Sequence, residues 1–445
     1  KLNKRLLYRK LRSSRFCVKN ICRGGREMES NKLLKDLFLT VRNDYAGWDA
    51  KQARHNPSPF VTMLGQAYYD RRMSSLLVLQ AVSQYCAGMR DRNLKFALND
   101  ENNVPFSRGF MVRRCAEGMF VDAVTRENRL HKGDRVLAIN RTAPERIVKN
   151  LPNPLLAADE PEREQWNGYL KLAHDITVRH ADGTEETLEL ARYPVEGDAE
   201  PSVRELGAGE LLLDPGTLND AAGLEAFVQA HQAQLDGCTR LVIDLRTARG
   251  SEEEALLPLL PYIAAQDTTA GELFGDQRIR TNYTRMNCTR LIHMLKPYLV
   301  DEDPELRQMA QQLTAYYRDQ SGKGWVDEVE ELPVPPETSI LRRGPEKVVV
   351  LTDTWCEEEA EHFAQLAKQQ GRAVLLGRPT MGTLDYTNPV TVEYDEFRFT
   401  YPISRTAASL EGHGVDERGI QPDVYVPWTA RECTADLLAE KAKTL

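Results

Sequence analysis

Unbroken apolar runs alternating with amphipathic stretches dominate the chain from about residue 203 onward. GELLLD (209–214), LVIDLR (241–246), KVVVLTD (347–353) and RAVLLG (372–377) each read as a buried strand, and residues 219–235 read as a helix between the first two. Strands that are apolar throughout and separated by helices predict an α/β fold on a mixed, largely parallel sheet with both faces covered. EEEALLPLLPYIAA reads as a further helix. Residues 270–345 read as a mostly helical insertion ending in the extended ELPVPPE.

The first two hundred residues have a different rhythm. Leu33, Leu34, Leu37 and Phe38 recur at helical spacing, and Leu76, Leu77, Leu79, Ala81 and Val82 do so in a helix ending near Arg90. The Asn-Pro-Ser-Pro run at 56–59 separates them. Residues 103–195 turn to short alternating strands, with a Gly-Asp turn at 133–134, a helix from Pro144 and a hairpin turning at Asp182-Gly183. Between these, 151–170 is polar and Pro/Glu-rich, an expected surface excursion. The predicted order is a basic extension (1–28), a helical subdomain (29–98), a β domain (99–198) and an α/β core (199–445).

Composition narrows the function classes. Hydrophobic residues make up 41% and charged residues 28%, and no window approaches the roughly eighteen apolar residues of a spanning helix. The net charge of −8 hides ten Lys/Arg against one Glu in residues 1–27. That stretch lacks a sustained apolar run and a small-residue cleavage site, which makes it a poor match to a secretory signal. It is expected to be a disordered or mis-called leader ahead of Met28, with a basic arm as the alternative. The acidic remainder argues against nucleic acid as a partner. Cysteines at 17, 22, 86, 115, 238, 288, 356 and 433 lack CxxC spacing, so no metal set is predicted, and reduced thiols in a cytoplasmic protein are expected. No cofactor motif is present.

The sharpest chemistry lies in residues 348–383. An apolar strand meets a helix through a tight turn, the arrangement in which many α/β hydrolytic enzymes present a nucleophile. The turn holds Thr354, Trp355, Cys356, Glu357, Glu358 and Glu359, and no serine lies in the segment. The three glutamates also suit the positive end of a helix dipole without any further role.

Five motifs in order carry a resemblance: MRDRNLKF, LHKGDRVLAINR, LVIDLRTARG, GRPTMGT and GHGVDERGIQPDVYVPW. Together they make the chain resemble the tail-specific, or C-terminal-processing, serine proteases, nearer the tricorn-like branch. The resemblance implies a ClpP/crotonase-like core, a PDZ-like β domain over the region from Gly109 to Ala143, and peptide or protein partners. It also places the family's roles on particular residues. Glu358 falls on the nucleophile, Glu361 on the acid three residues later, and Asn93 on the histidine base of an Asp-x-His segment. Thr383 falls on the alternative lysine base, Glu417 on the acid that orients the histidine, and Gly250 in the oxyanion turn 247–251. Gly109, Phe110, Met111 and Val112 fall on the peptide-receiving loop and strand, with Arg108, Arg113 and Arg114 as nearby positive charge.

A carboxylate, an amide and a hydroxyl in the reacting positions cannot run acyl transfer. The expectation is therefore a catalytically inactive protein that binds peptide C-termini or a partner. The alternative is an active peptidase using Cys356, with His362 six residues on, or Ser404. A paired-carboxylate site from Glu358 and Glu417 is a minor third reading.

Overall fold

Ser74 and the prolines at 57 and 59 explain how the described chain begins. The computed structural model describes residues 26–99, 106–150, 160–195 and 197–445. The expected basic extension lies outside the described residues apart from its last few, as do Cys17, Cys22 and residues 151–159. Helix α1 spans Arg26–Asn43, α2 Ser58–Tyr69 and α3 Ser75–Gly88. Pro57 and Pro59 flank the start of α2, where a fixed φ suits the first turn. The Ser74 hydroxyl caps α3 by accepting the Leu77 N–H. Strand β1 (Lys95–Leu98) follows.

Five strands then form an antiparallel meander: β2 (Phe110–Cys115), β3 (Gly118–Val124), β4 (Arg135–Ile139), β5 (Asp175–Arg179) and β6 (Glu185–Glu189), paired in that order. Helices α4 (Pro144–Asn150) and α5 (Trp166–Leu170) accompany it. Val112, Val121, Val136, Ile176 and Val178 turn inward around the fully buried Trp166, whose Nε1–H donates to Glu164.

The expected α/β alternation follows as β7 (Ser202–Gly207), β8 (Glu210–Asp214), α6 (Ala221–Gly237) and β9 (Arg240–Asp244). The stretch predicted as one helix from EEEALLPLLPYIAA is broken into turns at Glu253–Leu256 and Leu260–Ile263. Pro258 and Pro261 remove the N–H groups a continuous helix needs. Helix α7 (Ala270–Phe274) leads into the expected helical insertion. That insertion holds α8 (Arg285–Leu295) and α9 (Pro304–Gln320), but also strands β10 (Arg278–Tyr283) and β11 (Gly324–Val329). The chain closes with β12 (Lys347–Thr352), α10 (Glu359–Gln370), β13 (Val374–Gly377), β14 (Tyr386–Glu393), β15 (Phe397–Thr406), β16 (Val424–Tyr425) and α11 (Leu437–Ala442).

These elements form two compact units that cut across the consecutive domains expected from sequence. The first gathers the N-terminal segment, Asp276–Glu331 and Leu384–Asp416. Its sheet is antiparallel in the order β1-β15-β10-β11, with β14 also on β15. Leu37, Val41, Val82 and Met89 from the helices pack with Leu291, Leu313, Phe399 and Tyr401 in its core. The second unit holds Pro105–Gly275, Leu332–Thr383 and Glu417–Leu445. Its larger sheet runs β16-β13-β12-β9-β8-β7, parallel throughout except where β7 meets β8. Every residue of β9 is buried, as a strand covered on both faces requires.

Candidate functional site

The turn between β12 and α10 has the shape of a nucleophile elbow. Glu358, at the helix N-cap, sits at φ 51° and ψ −121°, a backbone region that L-residues other than glycine rarely enter. Its N–H donates to Thr383 Oγ1 (3.1 Å), and its carbonyl accepts the His362 N–H (3.0 Å). The next N–H, that of Glu359, points at the Gly250 carbonyl at 3.4 Å. In an elbow, the N–H after the nucleophile is an oxyanion donor.

Below the turn, Glu361 is completely buried and accepts from the Thr380 hydroxyl, the Gly382 and Thr383 N–H groups (2.6 Å each) and the Thr383 hydroxyl (2.7 Å). Burial pushes its carboxyl above the ordinary range even against these donors. Thr383 therefore links the elbow to Glu361: one hydroxyl donates to the carboxylate and accepts from the Glu358 backbone. GRPTMGT is thus a cradle for Glu361, which explains why its threonines and glycine lie at that spacing.

The 247–251 turn, expected to supply an oxyanion N–H, keeps one obligatory glycine. Gly250 has φ +144°, and a Cβ there would come within 2.3 Å of the Leu218 carbonyl oxygen. Thr247, Ala248 and Arg249 carry no positive φ, so their loss of glycine leaves the turn unstrained. Glu417 lies at φ 66°, its carbonyl accepting from the Arg163 guanidinium (3.2 Å), which also donates to the Arg418 carbonyl (3.0 Å).

Cys356 faces inward. Its thiol donates to the Leu245 carbonyl (3.1 Å) and accepts the Asp353 N–H (3.3 Å), with no exposed surface. Burial pushes the thiol far above its ordinary pKa, the opposite of an activated cysteine. His362 pairs instead with Glu359 (3.4 Å) and packs on Phe274. Asp353, at the start of the turn, lies between Arg113 (2.7 Å) and Arg378 (3.4 Å), and these charges hold it down at about 2.

The peptide-receiving strip looks different from its expected form. Gly109, at φ +75°, turns its carbonyl to three N–H groups, those of Thr125, Arg126 and Glu127. Phe110 and Val112 are buried, Met111 partly so, and the Val112 N–H is taken by Asn167 Oδ1 at 2.9 Å. The expected positive charge is already engaged. Arg108 donates to five backbone carbonyls, of Leu170, Lys171, Ala173, Leu190 and Ala191. Arg113 pairs with Asp122 and Asp353, and Arg114 with Glu164. Sequence supplies the charges but not their partners.

In the other unit, Asn93 donates through its backbone to Asp91 Oδ1 (2.8 Å) and through its amide to the Tyr386 carbonyl (3.0 Å). Asp91 accepts from the Tyr45 hydroxyl (2.6 Å). Beside it stands Lys51, only 2% exposed, bonded to the Arg90 carbonyl (2.7 Å) and to Asp416 (2.6 Å). Burial pushes Asp416 up to about 7 against the pull of Lys51. Nothing in the polar segment WDAKQAR signals that its lysine is buried. Ser404, on β15, is completely buried and bonded to Thr281 (2.8 Å) and Asn388 (2.9 Å).

Solved structures resemble the chain in fold. Two structures of CPAF overlay on nearly the whole chain. The mature protein complexed with lactacystin gives a TM-score of 0.60 at 14% identity, covering 94% of this chain and 98% of that one. A CPAF mutant gives 0.62 at 14%, covering 94% and 97%. The photosystem II D1 C-terminal processing protease is more remote, at a TM-score of 0.45 and 14% identity, covering 89% and 93%. At such identities the likeness is one of fold. The model of Peptidase family S41 matches residues 215–426, a span that includes the elbow, the oxyanion turn, the Glu361 cradle and Glu417. Residues 215–426 therefore carry a domain of peptidase family S41, on a chain whose fold resembles that of a tail-specific protease.

Proposed function

We propose that this chain keeps the architecture of a tail-specific peptidase, no longer hydrolyses peptide bonds, and acts by holding a partner protein. The observation that carries the reading is Glu358 at φ 51°, ψ −121° on the elbow. The backbone keeps the shape that presents a nucleophile, and the residue presented is a carboxylate. A carboxylate repels a hydroxide-like attacker and forms only a labile anhydride with an amide. The Glu359 N–H directed at Gly250 supports the same reading, since an oxyanion donor must point at the reacting carbonyl. Asn93 offers no basic nitrogen, and removing a nucleophile leaves only about 10³–10⁴-fold of such catalysis. The complete burial of Cys356 and Ser404 argues against either as a substitute.

A protein surface suits the partner better than a free peptide C-terminus. The Val112 N–H is engaged by Asn167, and Arg108, Arg113 and Arg114 are already paired, so a terminal carboxylate finds little to meet it there. Among the described residues no helix is long and apolar enough to cross a membrane. The free thiols at 86, 115, 238, 288, 356 and 433 suit a reducing compartment, and we place the protein in the cytoplasm. The test is incubation of the purified chain with denatured casein and with tail peptides, read by mass spectrometry alongside fluorophosphonate labelling. No cleavage and no label are expected. Cleavage that disappears in Glu358→Ala overturns the reading.

A further inference from the structure

We propose that the antiparallel meander carries a site for a divalent transition metal of the zinc type, formed by His131, Asp134 and His180. One ligand atom from each of the three lies within 4.8 Å of the others. Asp134 Oδ2 is the hub: His180 Nδ1 stands 2.9 Å from it and His131 Nδ1 3.7 Å. A tetrahedral ion with bonds of about 2.0–2.2 Å sets its ligand atoms about 3.4 Å apart. The two observed separations bracket that value. The exposed His131 ring has room to swing the remaining distance inward.

The scaffold fixes two of the three ligands. Asp134 is 2% exposed, and its Oδ2 also accepts the His131 N–H (2.7 Å), closing a turn that Gly133 permits at φ +97°. His180 sits at the end of the β5–β6 hairpin, its N–H donating to the Thr184 carbonyl (2.9 Å). Its other ring nitrogen, Nε2, lies 3.6 Å from Glu186 Oε2. Without an ion, Nδ1–H donates to Asp134; an ion would displace that proton from Nδ1, and the nearby Glu186 carboxylate favours the tautomer with the proton on Nε2. This is the carboxylate–histidine–metal arrangement that sets tautomer and ring orientation. A hydrogen bond to Asp134 would account for His180 alone. It does not account for a second imidazole brought to the same oxygen from the turn.

The donor set selects the ion. Two nitrogens and one carboxylate suit Zn²⁺, Co²⁺ or Ni²⁺ and are poor for Ca²⁺ or Mg²⁺, which want oxygen. Three protein ligands leave a fourth position for water or an incoming side chain. Such an ion would clamp the 131–134 turn to the β5–β6 hairpin. The site escapes any spacing motif because Asp134 and His180 are 46 residues apart.

The experiment uses the intact chain, stripped with EDTA, dialysed and titrated with ZnCl₂ by calorimetry, then with Co²⁺ for its visible absorption bands. One zinc per chain with micromolar or tighter affinity is expected, with tetrahedral-type cobalt bands and a raised Tm. His131→Ala, at an exposed side chain, and His180→Ala should both abolish uptake, and Glu186→Ala should weaken it about tenfold or more. Circular dichroism checks that each variant is folded. No uptake at about 100 µM zinc, or uptake unchanged in both histidine variants, overturns the proposal.

Discussion

Replacing Glu358 by glycine and, separately, by alanine isolates the elbow's backbone strain. Both substitutions remove the same side chain, so the difference between them reports the peptide conformation alone. At φ 51°, ψ −121° a residue with a Cβ carries about 1–3 kcal/mol of strain, which alanine keeps and glycine sheds. Against this, glycine gives the unfolded chain more freedom, which costs about 0.4–1 kcal/mol relative to alanine. The balance favours glycine by about 1 kcal/mol, or roughly 2–4 °C in Tm for a unit of 150–250 residues. Urea unfolding is the assay, followed by tryptophan fluorescence because the half-buried Trp355 lies in the same turn. Equal slopes in the two variants license the comparison of midpoints. An ordinary helix start gives the opposite order, with alanine ahead by the entropic term. If alanine proves as stable as glycine or more so, the turn is relaxed, and placing position 358 on a nucleophile elbow fails.

Gly250→Ala is expected to destabilise by at least about 1–3 kcal/mol, because φ +144° is joined by a clash with the Leu218 carbonyl; an unchanged unfolding midpoint contradicts the turn geometry. Asp416 binds its proton more tightly folded than unfolded, so stability should fall as pH rises from about 4 to about 7 and level off above. The slope from this group is at most about 1.4 kcal/mol per pH unit, and Asp416→Asn should flatten the profile measured by urea midpoints at pH 4.5, 6 and 8. Iodoacetamide on the native chain should leave Cys356 unmodified while the half-buried Cys433 reacts, read by peptide mapping; early alkylation of Cys356 restores a cysteine nucleophile.

Legibility in the sequence followed burial. The parallel strands β8, β9, β12 and β13 were readable because burial on both faces leaves an unbroken apolar run. Strands β10 and β11 were not. RIRTNY carries polar residues even where it is buried, at Thr281 and Asn282, and GWVDEV has no fully buried position, so neither leaves an unbroken apolar run. Lying beside two strongly amphipathic helices, they passed for more helix. The elbow position could be counted back from GRPT because the Glu361 cradle fixes that spacing. Lys51 beside Asp416 could not be read, since burial of a charge depends on pairing between distant segments. The partners of the three arginines near Gly109 are hidden from the sequence for the same reason.

The pairing of β1 with β15 has a consequence for biosynthesis. Lys95 finds its neighbour at Thr400, so the first unit cannot close until the chain beyond residue 400 has left the ribosome. Until then Phe96 and the greasy sides of the opening helices have no finished home. A chain cut short ahead of Phe397 would lack the strand that β1 pairs with and leave that apolar surface uncovered.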